Sequence, residues 1–314
     1  MPSTAPRPRI KPKALRPGDT IGIVAPASNI KRDLVELGCD ALHRLGYKTV
    51  YEESIFEQDL YFAGSLDRRV RELEGMFLRD DVKAILCARG GYGANYLLSR
   101  LDLEKVKANP KIFMGYSDLT CLLTWFADAA NLVTFHSPML TKDFASADGV
   151  DLRSFDAVVS GAEWALEAAS GLRPLMSGSA EGILYGGCLS ILVASLGTPY
   201  EIETDGTILF LEDVGVKPYQ VDRMLMQLKL SGKLAGVKGL VFGEMMDCIQ
   251  HPNQPFSLEQ VILRIVGDMG IPVAFGLRSG HVSHRNVTLP FGVRVTLNVG
   301  TTADLSSLEP AVSG

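Results

Sequence analysis

What the chain lacks narrows it quickly. Charged residues make up 21% and sum to −5, so no basic excess draws nucleic acid or an anionic membrane. None of the five cysteines (Cys39, Cys87, Cys121, Cys188, Cys248) belongs to a C-x-x-C pair, which argues against a zinc cluster or a redox dithiol. Odd in number, scattered and set in apolar contexts, they read as free, buried thiols in a reducing compartment. The opening stretch MPSTAPRPRIKPKALRPGD is basic and proline-rich, without the apolar run of a secretory signal. No window is apolar for long enough to cross a bilayer, and no repeat or low-complexity tract is present. These absences lead us to expect a cytoplasmic protein that binds neither nucleic acid nor membrane.

What is present is a large apolar content. Of 314 residues, 46% are hydrophobic, which suits two domains of roughly 150 residues each. Strand and helix signals alternate along the first half. TIGIVAPAS (20–28), YKTVYEES, VKAILCAR and KIFMG read as strands, and LVELGCDALHRLG, DRRVRELEGMFLRDD and DLTCLLTWFADAA as helices. This pattern implies βαβ units, a mostly parallel sheet and helices on both faces. A Gly-, Ser- and Ala-rich stretch marks a linker. We therefore expect an N-terminal domain over 1–150, a linker over 151–180 and a mixed α/β domain over 181–314. NVTLPFGVRVTLNV near the end alternates like an antiparallel pair or one long bent strand.

Three features of the first half and its partners carry chemistry. KIFMGYSDLT (111–120) places Ser117 on a corner between a strand and a helix, two residues after Gly115. One reading is an N-cap, whose oxygen accepts from the helix N–H groups. The other is a nucleophile elbow, with the hydroxyl above the sheet and the N–H of Asp118 open to an oxyanion. The loop ARGGYGANY follows the third strand. Tyr96 stands where a dinucleotide fingerprint needs its third glycine, and no Gly-Lys-Ser/Thr follows for a P-loop. The loop is either a simple glycine-rich turn or a second oxyanion donor, since loops at the carboxyl ends of neighbouring strands converge.

A serine nucleophile needs a base, and the histidines are His43, His136, His251, His281 and His284. His43 lies in an amphipathic helix, His136 ends an apolar strand as a core histidine would, and His251 sits in a polar loop. His281 follows Gly280 and is free to project; with His284 it forms H-x-x-H, but no third ligand is near, so no metal is expected. TILFLEDVG ends in Glu212-Asp213. A carboxylate closing a buried strand needs a partner, which favours Glu212, unless both acids are solvated and paired to Lys217 or Arg223.

Together these stretches resemble the LD-carboxypeptidase family, the muramoyltetrapeptide carboxypeptidases. The resemblance runs from about Thr20 to Asn298. It rests on VAPAS, ARGGYG, PKIFMGYSDLT, VTFHSPM, YGGCLSILVASLGTPYEI, LEDVGVKPYQVDRMLMQL and SGHVSHRNVTLPFGV. It implies an α/β fold of two domains with the active site between them. It also implies a serine peptidase with catalytic Ser117, Glu212 and His281, an oxyanion hole from the N–H groups of Gly91 and Asp118, no metal or cofactor, and a homodimer. The implied reaction is removal of the C-terminal D-alanine from a murein tetrapeptide during cell-wall recycling. A free carboxylate must then be bound, and Arg89 is the candidate cation. The chain departs from the family at Tyr96, often arginine, and at Cys188, commonly asparagine. The family also holds microcin C immunity peptidases, which cleave a peptidyl-nucleotide amide. A non-catalytic two-domain peptide-binding protein is the rival from another class. A cysteine amidotransferase would need cysteine at the elbow, whereas Cys121 lies one turn into the helix.

Overall fold

The computed structural model describes residues 9–249 and 255–314, so His251 lies outside the described residues. The first half alternates as its sequence suggests. In order come β1 (Thr20–Val24), α1 (Arg32–Arg44), β2 (Lys48–Val50), α2 (Leu66–Leu78), β3 (Val82–Cys87), α3 (Leu103–Ala108), β4 (Ile112–Gly115), α4 (Thr120–Ala129) and β5 (Thr134–His136). The central strands are buried on both faces, and parallel strands covered by helices read as continuous apolar runs for this reason. Ser65 caps α2 by accepting from the N–H of Arg68, and Asp102 caps α3 by accepting from Glu104.

The second half contains α5 (Leu152–Ser160), β6 (Ala165–Leu166), β7 (Arg173–Met176), β8 (Gly178–Cys188), α6 (Leu189–Ala194), β9 (Thr207–Glu212), α7 (Pro218–Leu230) and β10 (Gly239–Gly243). It closes with α8 (Leu258–Val266), β11 (Val273–Leu277), β12 (Leu289–Phe291), β13 (Arg294–Val299) and β14 (Ala303–Ser307). Two mixed sheets result: a six-stranded one in the order β12-β5-β4-β3-β1-β2, and an eight-stranded one in the order β6-β14-β13-β8-β9-β10-β11-β7.

Two segments differ from the sequence expectation. The stretch 151–180 is not a linker: it folds as α5, β6 and β7, two of them edge strands of the second sheet. Strands of two and four residues carry too little period-2 signal to stand out. The terminal stretch is neither one hairpin nor one bent strand. It breaks at Gly292, whose φ of 99° suits glycine. β12 pairs antiparallel with β5 in the first sheet, and β13 pairs with β8 and β14 in the second.

The alternation of β9 is what aims the site. Ile208 and Phe210 join the large core shared with the first sheet. Leu209 and Leu211 face the smaller core beneath α6, α7 and α8. Successive side chains of a strand point to opposite faces, so Glu212 emerges on the face that looks toward the first sheet. The halves are stitched at the same level: the Cys188 N–H at the end of β8 donates to Thr120 Oγ1 at 3.1 Å, at the start of α4. Among the described residues no helix is long and apolar enough to cross a membrane.

Candidate active site

The carboxyl end of β4 leads into the corner that holds Ser117. Its φ is 65°, a left-handed conformation that costs a non-glycine residue about 1–2 kcal/mol. Such strain persists where the surroundings impose it, and it clusters at functional sites. Ser117 is not an N-cap: the cap position is Tyr116, and no side-chain capping bond is made. Gly115 lies within β4, where an added Cβ would press on Cys87 and Leu119 at 3.2 Å. The closer approach is across the gap from the glycine loop. A Cβ on Gly90 would stand 2.9 Å from the Cβ of Ser117 and 3.1 Å from its Oγ.

That loop is pinned from two sides. Ser28, ending the VAPAS stretch, donates its N–H to Gly90 O at 3.2 Å and accepts the N–H of Tyr92 on Oγ at 3.0 Å. Gly91, with φ 95°, lies so near that a Cβ would meet Ser28 Oγ at 2.3 Å. From the elbow, the Asp118 carboxylate accepts the N–H of Ala94 at 2.7 Å. Burial pushes the Asp118 carboxyl up to about 6, partly offset by the N–H groups of Ala94 and Gly93 and by Arg69. Arg69 itself is buried and ties the same region together, donating to Pro26 O at 2.9 Å and Gly93 O at 2.8 Å.

The second sheet supplies the acid and the imidazole. Glu212 is fully buried, not solvated and not paired to Lys217 or Arg223. Its Oε2 lies 2.8 Å from His281 Nδ1 and accepts the His281 backbone N–H at 3.0 Å. Burial alone would raise the Glu212 carboxyl, but the imidazoles of His136 and His281 outweigh it and hold the group at about 2. Glycines make room for it: a Cβ on Gly280 would meet the Glu212 Cδ at 2.6 Å, and one on Gly243 its Cβ at 2.6 Å. Asn286 fastens the loop, accepting the Gly280 N–H at 2.9 Å and donating to Gly280 O at 3.0 Å. With Nδ1 engaged, the Nε2 edge of His281 is left for the cleft. Asp213 faces elsewhere, accepting the N–H of Ser190 at 2.8 Å at the start of α6.

Ser117 and His281 line one open cleft of about 380 Å³ with Tyr116, Arg89, Lys31 and Lys142. Among the described residues no carboxylate lines it, so its charged rim is cationic. Arg89 is exposed and donates to Asn29 O at 3.1 Å. The Tyr116 ring meets the His281 ring edge-on, with centroids 5.2 Å apart. A larger groove of about 480 Å³ beside α1 holds Arg44 as its single charged side chain and no acid–base pair.

The other candidates lie apart. His43 is exposed, 2.9 Å from Thr49 Oγ1. His284 is exposed and bonds Ser283 Oγ at 3.0 Å. Cys121 is buried, its thiol donating to Asp118 O and pushed well above its usual pKa by burial. His136, which the sequence shows only as a strand-end core histidine, lies 3.9 Å from Glu212 through Nε2. Lys142 and Asn286 also escaped the sequence reading, and no local pattern marks either one.

Both halves of the chain match known protein domains. The LD-carboxypeptidase N-terminal domain matches residues 21–137, and the LD-carboxypeptidase C-terminal domain matches residues 181–297. The chain is 39% identical to a probable murein peptide carboxypeptidase of Bacillus subtilis, over 96% of this chain and 95% of that protein. Among solved structures it is similar to muramoyltetrapeptide carboxypeptidase from Oxalobacter formigenes, with TM-score 0.83 and 29% identity over 93% of this chain and 99% of that one. It is also similar to MccF in complex with glutamyl sulfamoyl guanosine, with TM-score 0.89 and 26% identity over 97% of this chain and 100% of that one. Two matched domains, in order and spanning both sheets, make this chain a member of the LD-carboxypeptidase family of peptidases.

Proposed function

We propose that the protein is a serine-type LD-carboxypeptidase that removes the C-terminal D-alanine from a murein tetrapeptide. The observation that carries this reading is the Glu212–His281 contact of 2.8 Å in a cleft shared with the strained Ser117. His281 Nε2 takes the Ser117 proton as Oγ attacks the carbonyl of the L-configured residue. Glu212 holds the ring in the Nδ1–H tautomer and stabilises the imidazolium. The N–H groups of Gly91 and Asp118 receive the oxyanion, a contribution of about 3 kcal/mol per donor. Collapse expels the D-alanine amine, which takes the proton from His281. Water then cleaves the acyl-serine by the same route in reverse. Arg89, Lys31 and Lys142 supply the positive rim that a peptide with a free terminal carboxylate requires. The family resemblance supports a homodimer working in cytoplasmic cell-wall recycling.

A second reading, cleavage of a peptidyl-nucleotide amide, is favoured by the similarity to MccF, whose structure holds glutamyl sulfamoyl guanosine. The test is amine release from three substrates: a murein tetrapeptide, its analogue ending in L-alanine, and an aminoacyl sulfamoyl nucleoside. Each is run with the wild type and Ser117→Ala. Release from the tetrapeptide alone, abolished in the variant, is expected. Release from the nucleoside alone would move the function to the second reading. Turnover that survives Ser117→Ala would refute the nucleophile in both.

A further inference from the structure

Glu212 meets a second histidine. His136 ends β5, in register with Gly115 on β4 and with Leu289 on β12. It is fully buried. Its ring is wedged between Phe210, Phe291 and Tyr116, at centroid distances of 5.2, 5.5 and 5.9 Å, so it has no room to turn. Nδ1 lies 2.9 Å from Ser279 Oγ, two residues before His281 in the chain. Nε2 lies 3.9 Å from Glu212 Oε1. Both of those atoms are buried, and neither has a hydrogen-bond partner.

Buried polar atoms without partners are rare, and two that face each other call for a shared proton. Their separation of 3.9 Å is longer than a hydrogen bond, so a small approach of the two side chains would form one. Were Nδ1 the protonated nitrogen, the bare lone pair of Nε2 would oppose a carboxylate oxygen in a buried site. Were Nε2 protonated, both unpartnered atoms would be satisfied by one bond. Oε1 is the oxygen left over once His281 has engaged Oε2. Catalytic hydrogen bonds in unliganded enzymes are commonly long and tighten when substrate binds.

We propose that His136 is a positioning residue of this site: its Nε2–H donates to Glu212 Oε1, and the hydroxyl of Ser279 fixes that tautomer by donating to Nδ1. The Glu212 carboxylate is thereby held between two imidazoles and cannot swing away from His281. A Ser279 hydroxyl donated instead to Val287 O, at 2.8 Å, would make His136 Nδ1 the donor to Ser279 Oγ and leave Nε2 bare. Burial lowers the tendency of His136 to gain a second proton, so it serves as a neutral donor. Besides His281, the titratable groups close enough to Glu212 to feel its charge are Tyr116, Cys188, Asp213 and Cys248. Burial pushes all four up, toward their neutral forms.

This inference rests on the triad reading of the preceding subsection, so its test has one arm that needs no turnover. In the full chain carrying Ser117→Ala, the 15N shifts of His136 report its tautomer, and Nε2–H is expected. Neutral Nδ1–H would overturn the proposal whatever Ser117 does. In the active protein, His136→Phe keeps a ring but no donor, and His136→Gln restores an N–H near Nε2. The Phe variant should lose about 10- to 100-fold in kcat, the range spanned by one hydrogen bond to a charged group. Its KM should hold, and the acid limb of its kcat/KM profile should move to higher pH. The Gln variant should recover most of the loss and the wild-type limb. Equal losses in both variants with an unmoved limb would mean a packing role only, and a fully active Phe variant would mean none. Melting temperatures of both variants separate misfolding from mispositioning.

Discussion

Gly90→Ala tests the geometry of the elbow without replacing any side chain that does chemistry. The new Cβ would lie 2.9 Å from Ser117 Cβ and 3.1 Å from Oγ, with Tyr116 O at 3.3 Å. Ordinary carbon contacts sit at about 3.5–4.0 Å, so loop and serine must separate by roughly 0.5–1 Å. A misplacement of about 1 Å can lower a rate by about 100-fold. The effect should fall on kcat, because the cationic rim of the cleft is untouched. Gly90 does not have a positive φ, so alanine suits its backbone. The unfolded-state gain of about 0.4–1 kcal/mol from replacing glycine offsets part of the overpacking, which typically costs about 1–3 kcal/mol. The net change in stability should be on the order of 1 kcal/mol. Steady-state release of D-alanine from the tetrapeptide, with a thermal melt, reads both numbers. Gly75→Ala is the control: it lies within α2 with nothing within 4 Å of an added Cβ. It should stabilise by up to about 1 kcal/mol and leave turnover alone. If Gly90→Ala keeps kcat/KM within about threefold of wild type, the claim that this contact sets the serine is wrong.

Three further outcomes are expected. Glu212→Gln keeps the shape but removes the charge that holds the His281 tautomer, and kcat should fall by roughly four orders of magnitude; a loss below tenfold in steady-state kinetics would remove Glu212 from the mechanism. Ser117→Gly should be more stable than Ser117→Ala by about 1 kcal/mol in denaturant titration, because only glycine relieves the left-handed strain; the reverse order would show that the elbow is unstrained. Burial raises Asp118 and Asp143 from a usual 3.8 to about 6. A raised carboxyl contributes stability that is complete below its unfolded value and lost as pH rises through its folded value. The melting temperature should therefore be higher at pH 5 than at pH 7.5, each group losing on the order of 1.4 kcal/mol over that window; a flat or rising curve there would refute their burial as acids. Glu212, held at about 2, acts oppositely, and its stabilisation fades only as pH falls below about 4.5.

Much of the fold could be read from the chain because its signals are local. The buried parallel strands β1, β3 and β4 show as apolar runs, and the amphipathic helices between them show a 3.6-residue period. Edge strands β6 and β7 carry no such signal, and the Gly, Ser and Ala around them mimic a linker. For the site, Ser117 announced itself through a strand–turn–helix corner and Gly280 through the turn before His281. Glu212 stood out because an ionised group cannot end a buried strand unpartnered. The histidine was harder: His281 and His284 differ little in sequence, where the turn at Gly280 and the family resemblance favour His281, and in the structure His281 is the one that meets Glu212.

By itself, then, the sequence determined the strand and helix periods, the glycines that allow tight turns, and the residue types able to form a nucleophile, a base and an acid. It did so because backbone geometry and burial act over a few neighbouring residues. Tertiary structure alone decided which of them meet. β12 leaves the second half to pair with β5, which sets His136 between the nucleophile strand and Glu212. The Gly90 backbone comes to rest against Ser117, and Lys142 reaches the same cleft from a distant turn. These contacts join residues far apart in the chain through sheet order and side-chain packing, which no local pattern encodes.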